Sequence, residues 1–346
     1  MKESHHVTIK LIADKLGISA STVSRALKDH PDISEATKKA VKDLSTQLHY
    51  KPNAIALSLL NRQSKIIGVI IPEIVHHFFS LVISGIEEVA YNEGYGVMIF
   101  QSNESYDREV LNTKALSVTM VDGLLVSLSK ETKKFDHLQD LQDRGFPLVF
   151  FDRVCNEIEA DKVIVDDMGG AYAATKHLIE NGCRKIAFFS GPQHLFIVQN
   201  RMSGYRKALE EANIPIEENL IYDCDTFEEA LVITQRIAQS SNCPDGIFAV
   251  NDLTAIGAML GVKRSGLRVP EDIAVVGFTN SQIANITDPA LSSVEQKGFE
   301  MGAEAARLLL RRLDRKNEDY PPVTTVLETN LVPRGSSVRN TKNTNI

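Results

Sequence analysis

The sequence predicts a small all-α domain followed by an α/β body of two doubly wound parallel-sheet subdomains. Three observations predict this architecture. Two short amphipathic segments flank a glycine within residues 7–27, apolar strand-like segments alternate with helical ones from residue 66 onward, and that alternation restarts near residue 166. At 346 residues the chain is long enough for two or three domains with full cores.

The first element is a helix, a tight turn and a second helix within VTIKLIADKLGISASTVSRAL. Thr8 and Ser19 stand where an N-cap hydroxyl accepts a hydrogen bond from a free N–H of the first turn. Gly17 lies between the helices, where the chain needs the left-handed conformation that glycine adopts without steric cost. The spacing indicates a helix-turn-helix, which places its second helix in the DNA major groove. Any two short amphipathic helices can look alike, so the interpretation also depends on the rest of the sequence.

The outward face of the second helix carries Ala20, Ser21, Ser24 and Arg25. Arg25 can donate two parallel hydrogen bonds to a guanine edge, and the two serines can donate to bases or phosphates. Residues 1–63 contain 10 Lys and Arg against 6 Asp and Glu, a net of +4, whereas the rest contains 28 against 39, a net of −11. A basic N-terminal segment followed by an acidic remainder is typical of a DNA-binding domain attached to a domain that does not bind DNA.

A third helix is expected through about Leu48, behind a capping Ser34. Its apolar stripe is formed by Ile33, Ala36, Ala40, Val41, Leu44 and Leu48. The segment YKPNAIALSLL comes next, with Pro52 tolerated at a helix start. It is too short to be a stable isolated helix, so we expect it to fold on DNA. The alternative is an ordinary linker helix packed on the body.

The segments VTIKLIADKLGISASTVSRAL, HYKPNAIALSLL and SKIIGVIIP closely resemble the LacI/GalR family of transcription regulators. The resemblance implies DNA contacts at Thr8, Ser19, Ala20, Ser21, Thr22, Ser24, Arg25, Tyr50, Asn53, Ala56 and Leu59. In that family paired hinge helices enter the minor groove, and the leucine matched here by Leu59 wedges into the central base step. Ala20 stands at a base-reading position, where it offers only a methyl group.

From residue 66 apolar strands alternate with helices. Strands are expected at 66–71, 96–100, 122–126 and 147–151, and helices at 78–93, 108–117 and 135–144. After a crossing near 163–166, helices are expected at 169–181, 198–212, 227–239, 251–264 and 298–315, and strands at 185–190, 220–224, 246–250, 273–277 and 323–331. Fully apolar strands between helices predict parallel sheets covered on both faces. Two such halves facing one another form a cleft beyond the carboxyl ends of their strands.

The family resemblance extends from about Val7 to Ser336 and implies a division of the chain into four parts. Residues 1–50 form the helix-turn-helix domain, 51–63 the hinge helix and linker, 64–336 a periplasmic-binding-protein-like effector-binding and dimerisation domain, and 337–346 a flexible tail. The expected subdomains are about 64–163 plus 294–322, and 164–293 plus 323–336.

Matched position by position, the expected effector-binding residues are His76, Phe78, Phe79, Asp152, Arg201, Phe227, Asn251, Thr279 and Gln296. A planar guanidinium and a carboxylate give oriented, charge-assisted hydrogen bonds, and aromatic rings cover the apolar face of a sugar or purine. Alternatives remain for three of these positions. Arg201 can form a surface ion pair with Glu210 or Glu211, Asp152 can cap a helix or turn, and the adjacent histidines 76 and 77 can form a metal pair.

One departure from the family pattern concerns the effector. After VVGF the family often has an Asp that binds effector hydroxyls, whereas this chain has Thr279 and Asn280. A neutral pair in place of a carboxylate predicts a phosphorylated, acidic or larger ligand.

The resemblance implies a transcription repressor that binds a pseudo-palindromic double-stranded DNA operator as a homodimer. Its small-molecule effector is expected to be a carbohydrate or related metabolite. The alternative is a cytosolic small-molecule-binding protein without DNA regulation. An enzyme is not expected, because the sequence has no nucleophile elbow, P-loop, G-x-G-x-x-G or zinc motif. The adjacent carboxylates of Asp166 and Asp167 would face opposite sides of a strand.

Composition limits the other partners. No apolar run approaches the roughly 20 residues that span a bilayer, and the N-terminal MKESHHVTIK lacks the apolar segment of a secretory signal. We therefore expect a cytoplasmic protein with no membrane partner. The four cysteines are scattered, which indicates neither a zinc site nor a disulfide framework. No cofactor, metal or catalytic residue is expected.

Overall fold

The computed structural model describes residues 7–50, 63–118, 121–314 and 321–339. The chain forms two compact units, Met1–Ser64 and Lys65–Ile346. Three of the expected DNA contacts, Asn53, Ala56 and Leu59, lie outside the described residues together with the rest of the expected hinge helix.

The first unit contains three described helices: α1 (Ile9–Leu16), α2 (Ala20–Leu27) and α3 (Glu35–Gln47). The hydroxyl of Thr8 accepts a hydrogen bond from the Leu11 N–H at 3.3 Å, and that of Ser19 accepts one from the Thr22 N–H at 3.1 Å. Gly17 ends α1 with φ of 64°, in the left-handed region. These caps and the turn confirm the predicted helix-turn-helix.

The three helices enclose one small core, made by Ile12, Ala13, Val23, Ala26 and Val41. On α3 the inward positions are Thr37, Val41, Leu44 and Leu48, which recur at helical spacing. Ala36 and Ala40, expected on the apolar stripe, are exposed, because each precedes an inward position and is rotated away from the core by one residue.

The second unit contains two six-stranded sheets with helices on both faces of each. Its strands are β1 (Ile66–Ile71), β2 (Gly96–Gln101), β3 (Gly123–Val126), β4 (Leu148–Phe151), β5 (Asp161–Val165), β6 (Ile186–Ser190), β7 (Ile221–Asp223), β8 (Gly246–Ala249), β9 (Ala274–Thr279), β10 (Ser292–Glu295), β11 (Thr324–Leu327) and β12 (Asn330–Val332). Its described helices are α4 (His77–Asn92), α5 (Tyr106–Val118), α6 (Asp136–Asp143), α7 (Asp167–Glu180), α8 (Phe196–Glu211), α9 (Phe227–Ala238), α10 (Asp252–Arg264), α11 (Ile283–Ile286) and α12 (Gly298–Asp314).

The first sheet has the order β11-β5-β4-β3-β1-β2 and is parallel throughout. The second has the order β12-β10-β9-β8-β6-β7, with only β12 antiparallel to its neighbour among the pairs described. The two predicted doubly wound halves are confirmed. The central strands β3, β4, β6 and β8 are fully buried, since helices cover both faces.

The expected subdomain boundaries are wrong near the end of the chain. The single strand predicted at 323–331 is two strands: β11 pairs with β5 of the first sheet, and β12 pairs with β10 of the second. β10 also belongs to the second sheet, although the expected division places residues from 294 onward in the first half. Both β11 and β12 are edge strands with no fully buried residue, so no apolar strand pattern marks the crossing between them.

The expected flexible tail begins too early. Ser337 is fully buried, and its Oγ lies 2.6 Å from Ser292 Oγ and 2.7 Å from His177 Nε2. Arg339 donates a hydrogen bond of 2.9 Å to the carbonyl oxygen of Pro270. The chain is therefore packed on the second sheet at least as far as Arg339.

Helices α4 and α12 touch backbone to backbone on one face of the first sheet. A Cβ added to Gly302 would lie 1.9 Å from the carbonyl oxygen of Val82, and one added to Gly85 would lie 2.0 Å from that of Phe299. Only glycine permits this approach at either position. The close crossing lets Met301 and other apolar residues of α12 reach the sheet core.

We expect Gly302→Ala to lower the free energy of unfolding by about 1–3 kcal/mol, because the two helices must separate to admit the methyl group. Chemical denaturation measures the change. Gly96→Ala is the matched control: its added Cβ would meet atoms no closer than 3.9 Å, so its effect should stay within about 0.5 kcal/mol. Equal effects of the two substitutions would contradict the close approach.

Candidate functional site

The candidate nucleic-acid interface is the exposed face of α2. Ala20, Ser21 and Arg25 are exposed, and Ser24 is half-buried. This face is presented by a helix whose first turn is fixed by the Ser19 cap.

The other described DNA candidates have structural roles in the same unit. The Ser19 hydroxyl caps α2 and lies 2.8 Å from the hydroxyl of Thr22, and the Thr8 hydroxyl caps α1. Tyr50 is half-buried and packs against the three-helix core.

A cavity of about 310 Å³ lies between the two sheets of the second unit, within the range of about 300–1,000 Å³ of ligand pockets. Its walls are the loops at the carboxyl ends of strands, as expected for doubly wound sheets. Eight of the nine expected effector residues line it: His76, Phe78, Phe79, Asp152, Arg201, Asn251, Thr279 and Gln296.

Phe227 does not line this cavity. It is the first residue of α9, and its backbone packs against α10, where a Cβ at Gly257 would lie 2.3 Å from the Phe227 carbonyl oxygen. The close crossing of the two helices fixes the backbone of Phe227. Its expected effector contact finds no support in the cavity lining and stays a prediction.

Arg201 projects from the first half of α8, and its guanidinium group is buried. Its Nε and NH2 groups donate to Oδ1 of Asp167 at 2.8 and 2.7 Å. The guanidinium carbon lies 3.7 Å from the ring centroid of Phe278, a cation–π contact. The alternative surface pair with Glu210 or Glu211 is wrong, because those two residues are exposed at the other end of α8.

Sequence reasoning missed Asp167 as the partner of Arg201. The strand geometry expected for residues 166 and 167 is wrong, because β5 ends at Val165. Asp166 caps α7 by accepting a hydrogen bond from the Gly169 N–H at 2.8 Å, and Asp167 is the first residue of that helix. An acidic pair directly after an apolar strand was the available signal, since caps favour Asp.

Asp152 comes directly after β4, and its buried carboxyl group lines the cavity. Its φ is 57°, a left-handed conformation that Asp and Asn adopt more readily than other non-glycine residues. Burial raises the pKa of this carboxyl to about 6, although Arg153 and Arg201 oppose the shift. Among the described residues the carboxylate accepts no hydrogen bond, so the alternative role as a cap finds no support.

Three polar residues on the second side of the cavity are fixed by their neighbours. Asn251 caps α10 by accepting a hydrogen bond from the Thr254 N–H at 2.8 Å, and its Nδ2 donates to the Asp225 carbonyl oxygen at 2.9 Å. Thr279 Oγ1 donates to Gln296 Oε1 at 2.9 Å. Gln296 therefore retains amide N–H groups that can donate to a ligand.

The opposite side is aromatic. Phe78 and Phe79 pack edge to face, with ring centroids 5.2 Å apart. His76 Nε2 lies 2.8 Å from the Glu73 carboxylate. Within the described ranges, no group of three His, Cys, Asp or Glu side chains is placed to hold a metal ion. The rings of Phe78 and Phe79 can cover the apolar face of a ligand.

Arg153 and Asp252 line the cavity and are chain neighbours of predicted residues. Arg153 is next to Asp152 in the chain, and Asp252 is next to Asn251. Asp252 accepts hydrogen bonds of 2.7 Å from both the N–H and the hydroxyl of Ser281, so it joins the ends of two loops. Arg153 and Asp252 each follow the end of a buried strand, and that position in the sequence could have identified both as cavity residues.

The chain is similar to known regulators over most of its length. Residues 8–53 match the family described as "Bacterial regulatory proteins, lacI family", and 175–337 match "Periplasmic binding protein-like domain". The "HTH-type transcriptional repressor PurR" of Vibrio atlanticus (strain LGP32) is 34% identical over 318 residues, covering 90% of this chain and 93% of that protein.

Two further comparisons agree. The "Ribose operon repressor" of Halalkalibacterium halodurans is 32% identical, covering 90% of this chain and 92% of that protein. A solved "transcriptional regulator CelR-cellobiose complex" is 31% identical, with a TM-score of 0.73 and coverage of 95% of this chain and 99% of that one. None of the described helices combines the length and apolar character needed to cross a membrane.

Proposed function

This chain belongs to the lacI family of bacterial regulatory proteins, and we propose that it represses transcription through α2 under the control of a ligand bound in the cavity. It is a DNA-binding regulator and not an enzyme, and its site of action on the chromosome places it in the cytoplasm. The observation that carries the proposal is the combination of one capped, exposed recognition helix with one cavity walled by both sheets.

We assign base contacts to Arg25 and Ser21 and a methyl contact to Ala20. Residues 1–50 would bind one half-site, and residues 51–63, with Leu59, would enter the minor groove. Two protomers related by a two-fold axis match a pseudo-palindromic operator, so the homodimer is the DNA-binding form.

The cavity couples ligand binding to DNA binding. Its lining comes from both sheets, so a bound ligand contacts both halves and favours one relative arrangement of them. The halves already touch across the cleft: Lys130 Nζ lies 3.4 Å from the Asp225 carboxylate, and His194 Nε2 lies 2.8 Å from the Lys130 carbonyl oxygen. A ligand that changes their closure changes the spacing of the two hinge segments in the dimer.

Fluorescence anisotropy tests this function. The full chain is titrated onto DNA from its own upstream region and onto scrambled DNA, at two salt concentrations. We expect a preference of about 10³-fold or more for one near-palindromic site. Ribose and cellobiose, the sugars named for relatives, are then added as first ligand probes. Weak binding that is equal for both DNAs and lost with salt would show only phosphate attraction and contradict the proposal.

A further inference from the structure

We propose that a latch beside the cavity of about 310 Å³ (the effector cavity) joins the two halves of the second unit, holds them closed without a ligand, and so sets the operator affinity of the ligand-free protein. The latch consists of Lys130 in the half that contains the first sheet, and of His194, Phe196 and Asp225 in the half that contains the second. The inference rests on the proposed function, but the latch itself can be tested without a ligand.

The polar part of the latch converges on Lys130. Its Nζ lies 3.4 Å from both carboxylate oxygens of Asp225, and its carbonyl oxygen accepts a hydrogen bond of 2.8 Å from Nε2 of His194. The side chains of Lys130 and Asp225 are 33% and 23% exposed, so salt screens this ion pair less than a pair on the open surface. The second half therefore holds Lys130 by both its side chain and its backbone.

The apolar part of the latch is Phe196, the first residue of α8. This half-buried side chain of the second half packs against the apolar cluster of the first half that includes Leu128, Val154 and Cys155. Removing an aromatic ring from water favours the contact whatever the charge of its surroundings. The two halves are thus held by one ion pair, one hydrogen bond and one apolar contact.

The loop that carries Lys130 is already fixed within the first half. Glu109, which is fully buried, accepts hydrogen bonds from the Ser129 N–H at 2.6 Å and from the Thr132 hydroxyl at 2.9 Å. Glu104 accepts one from the Lys130 N–H at 2.8 Å. A loop that is ordered in advance loses little conformational entropy when it docks. The latch can therefore form before any ligand binds.

The latch lies beside the effector cavity and not in it. The described lining of that cavity does not include Lys130, His194 or Phe196, although Leu195 belongs to it. His194, Leu195 and Phe196 line a second cavity of about 160 Å³ together with Phe135 of the first half. Substitution of a latch residue therefore changes how firmly the halves are closed and leaves the residues that line the effector cavity in place.

The latch acts on the same equilibrium as the ligand. A ligand shifts the halves only by its different affinities for the closed and open arrangements, and any contact made in one arrangement alone shifts the same equilibrium. Without the latch, the open arrangement of the ligand-free protein is more populated. The spacing of the two hinge segments in the dimer then changes, and the affinity for the operator changes with it.

Quenching of a single tryptophan tests the latch in the full chain without a ligand. The native sequence has no tryptophan, and Phe135→Trp places one at the second cavity, which has room for the larger ring. In this background we expect Lys130→Ala and His194→Ala each to raise the acrylamide quenching constant about twofold or more. Lys134→Ala, which removes the same charge from an exposed side chain four residues away, is the control. Equal quenching in all these variants overturns the latch.

Hydrogen exchange gives a second readout on chains that keep Phe135. Amide exchange within residues 193–199 should be at least threefold faster in Lys130→Ala than in Lys134→Ala, because the segment no longer docks on the first half. Equal exchange rates in the two variants overturn the latch.

Operator anisotropy without a ligand tests the effect of the latch on regulation. Lys130→Ala should change the affinity for the operator at least threefold relative to Lys134→Ala, whereas the two variants should bind scrambled DNA equally. An operator affinity that is the same in both variants overturns the regulatory role. If the unsubstituted protein shows no operator preference, the proposed function fails, and quenching and exchange still decide whether the latch exists.

Discussion

Arg201→Ala is expected to lower the free energy of unfolding by about 3–5 kcal/mol, because it leaves the buried carboxylate of Asp167 without its cation. The ion pair is buried: the side chains of Arg201 and Asp167 are 4% and 2% exposed. The substitution also removes the guanidinium group that lines the cavity and its cation–π contact with Phe278. Chemical denaturation measures the stability, and ligand titration at low temperature, where the variant is still folded, should show no binding.

The matched control is Arg206→Ala on the same helix. Arg206 pairs with Glu218 at 2.7 Å, but the two side chains are 36% and 69% exposed, so the loss should be below about 1 kcal/mol. The double variant Arg201→Ala/Asp167→Ala should recover part of the stability, since it removes the unpaired charge. If Arg201→Ala and Arg206→Ala cost the same, the buried pair does not have the assigned role.

Arg25→Ala is expected to weaken operator binding by about 5–150-fold, the effect of losing one bidentate base contact of about 1–3 kcal/mol. Arg25 is exposed on α2 and makes no ion pair among the described residues. The stability of the variant should therefore change by less than about 0.5 kcal/mol. Anisotropy with the selected operator and with scrambled DNA gives the two affinities.

Lys39→Ala provides the comparison, because it removes the same charge from the exposed face of α3. We expect it to weaken binding to both DNAs by a similar, smaller factor, as a phosphate contact or a general attraction would. Arg25→Ala should weaken operator binding more than binding to scrambled DNA. Parallel losses on both DNAs would place Arg25 on the phosphate backbone rather than on a base.

The parts of the structure that local chemistry determines were predictable. Thr8 and Ser19 are caps and Gly17 is a left-handed turn, and each is recognisable from its position beside an amphipathic helix. Eight cavity residues were expected from the family resemblance, matched position by position, and the structure places them along one cavity. The cavity itself was predictable from the strand pattern, since the carboxyl ends of parallel strands meet at one edge of a sheet.

The parts that depend on contacts between distant elements were not predictable. Phe227 begins a helix at the expected place, but it is not among the residues that line the cavity. Arg201 finds Asp167 rather than its near neighbours, because α7 and α8 pack together. The passage of the chain from β11 in the first sheet to β12 in the second was also not predicted. Both are edge strands, and the periodicity of a strand does not indicate which sheet the strand joins.

The order of elements has a consequence during synthesis of the chain. The first sheet is complete only when β11 joins its edge, and one of its faces is covered by α12, residues Gly298–Asp314. The ribosome must therefore make the whole second sheet except β12 before the first sheet can bury the part of that face that lies under α12. A nascent chain that pauses before residue 298 would have only α4 on that face and would expose the apolar surface that α12 covers, so a chaperone is most needed in this interval.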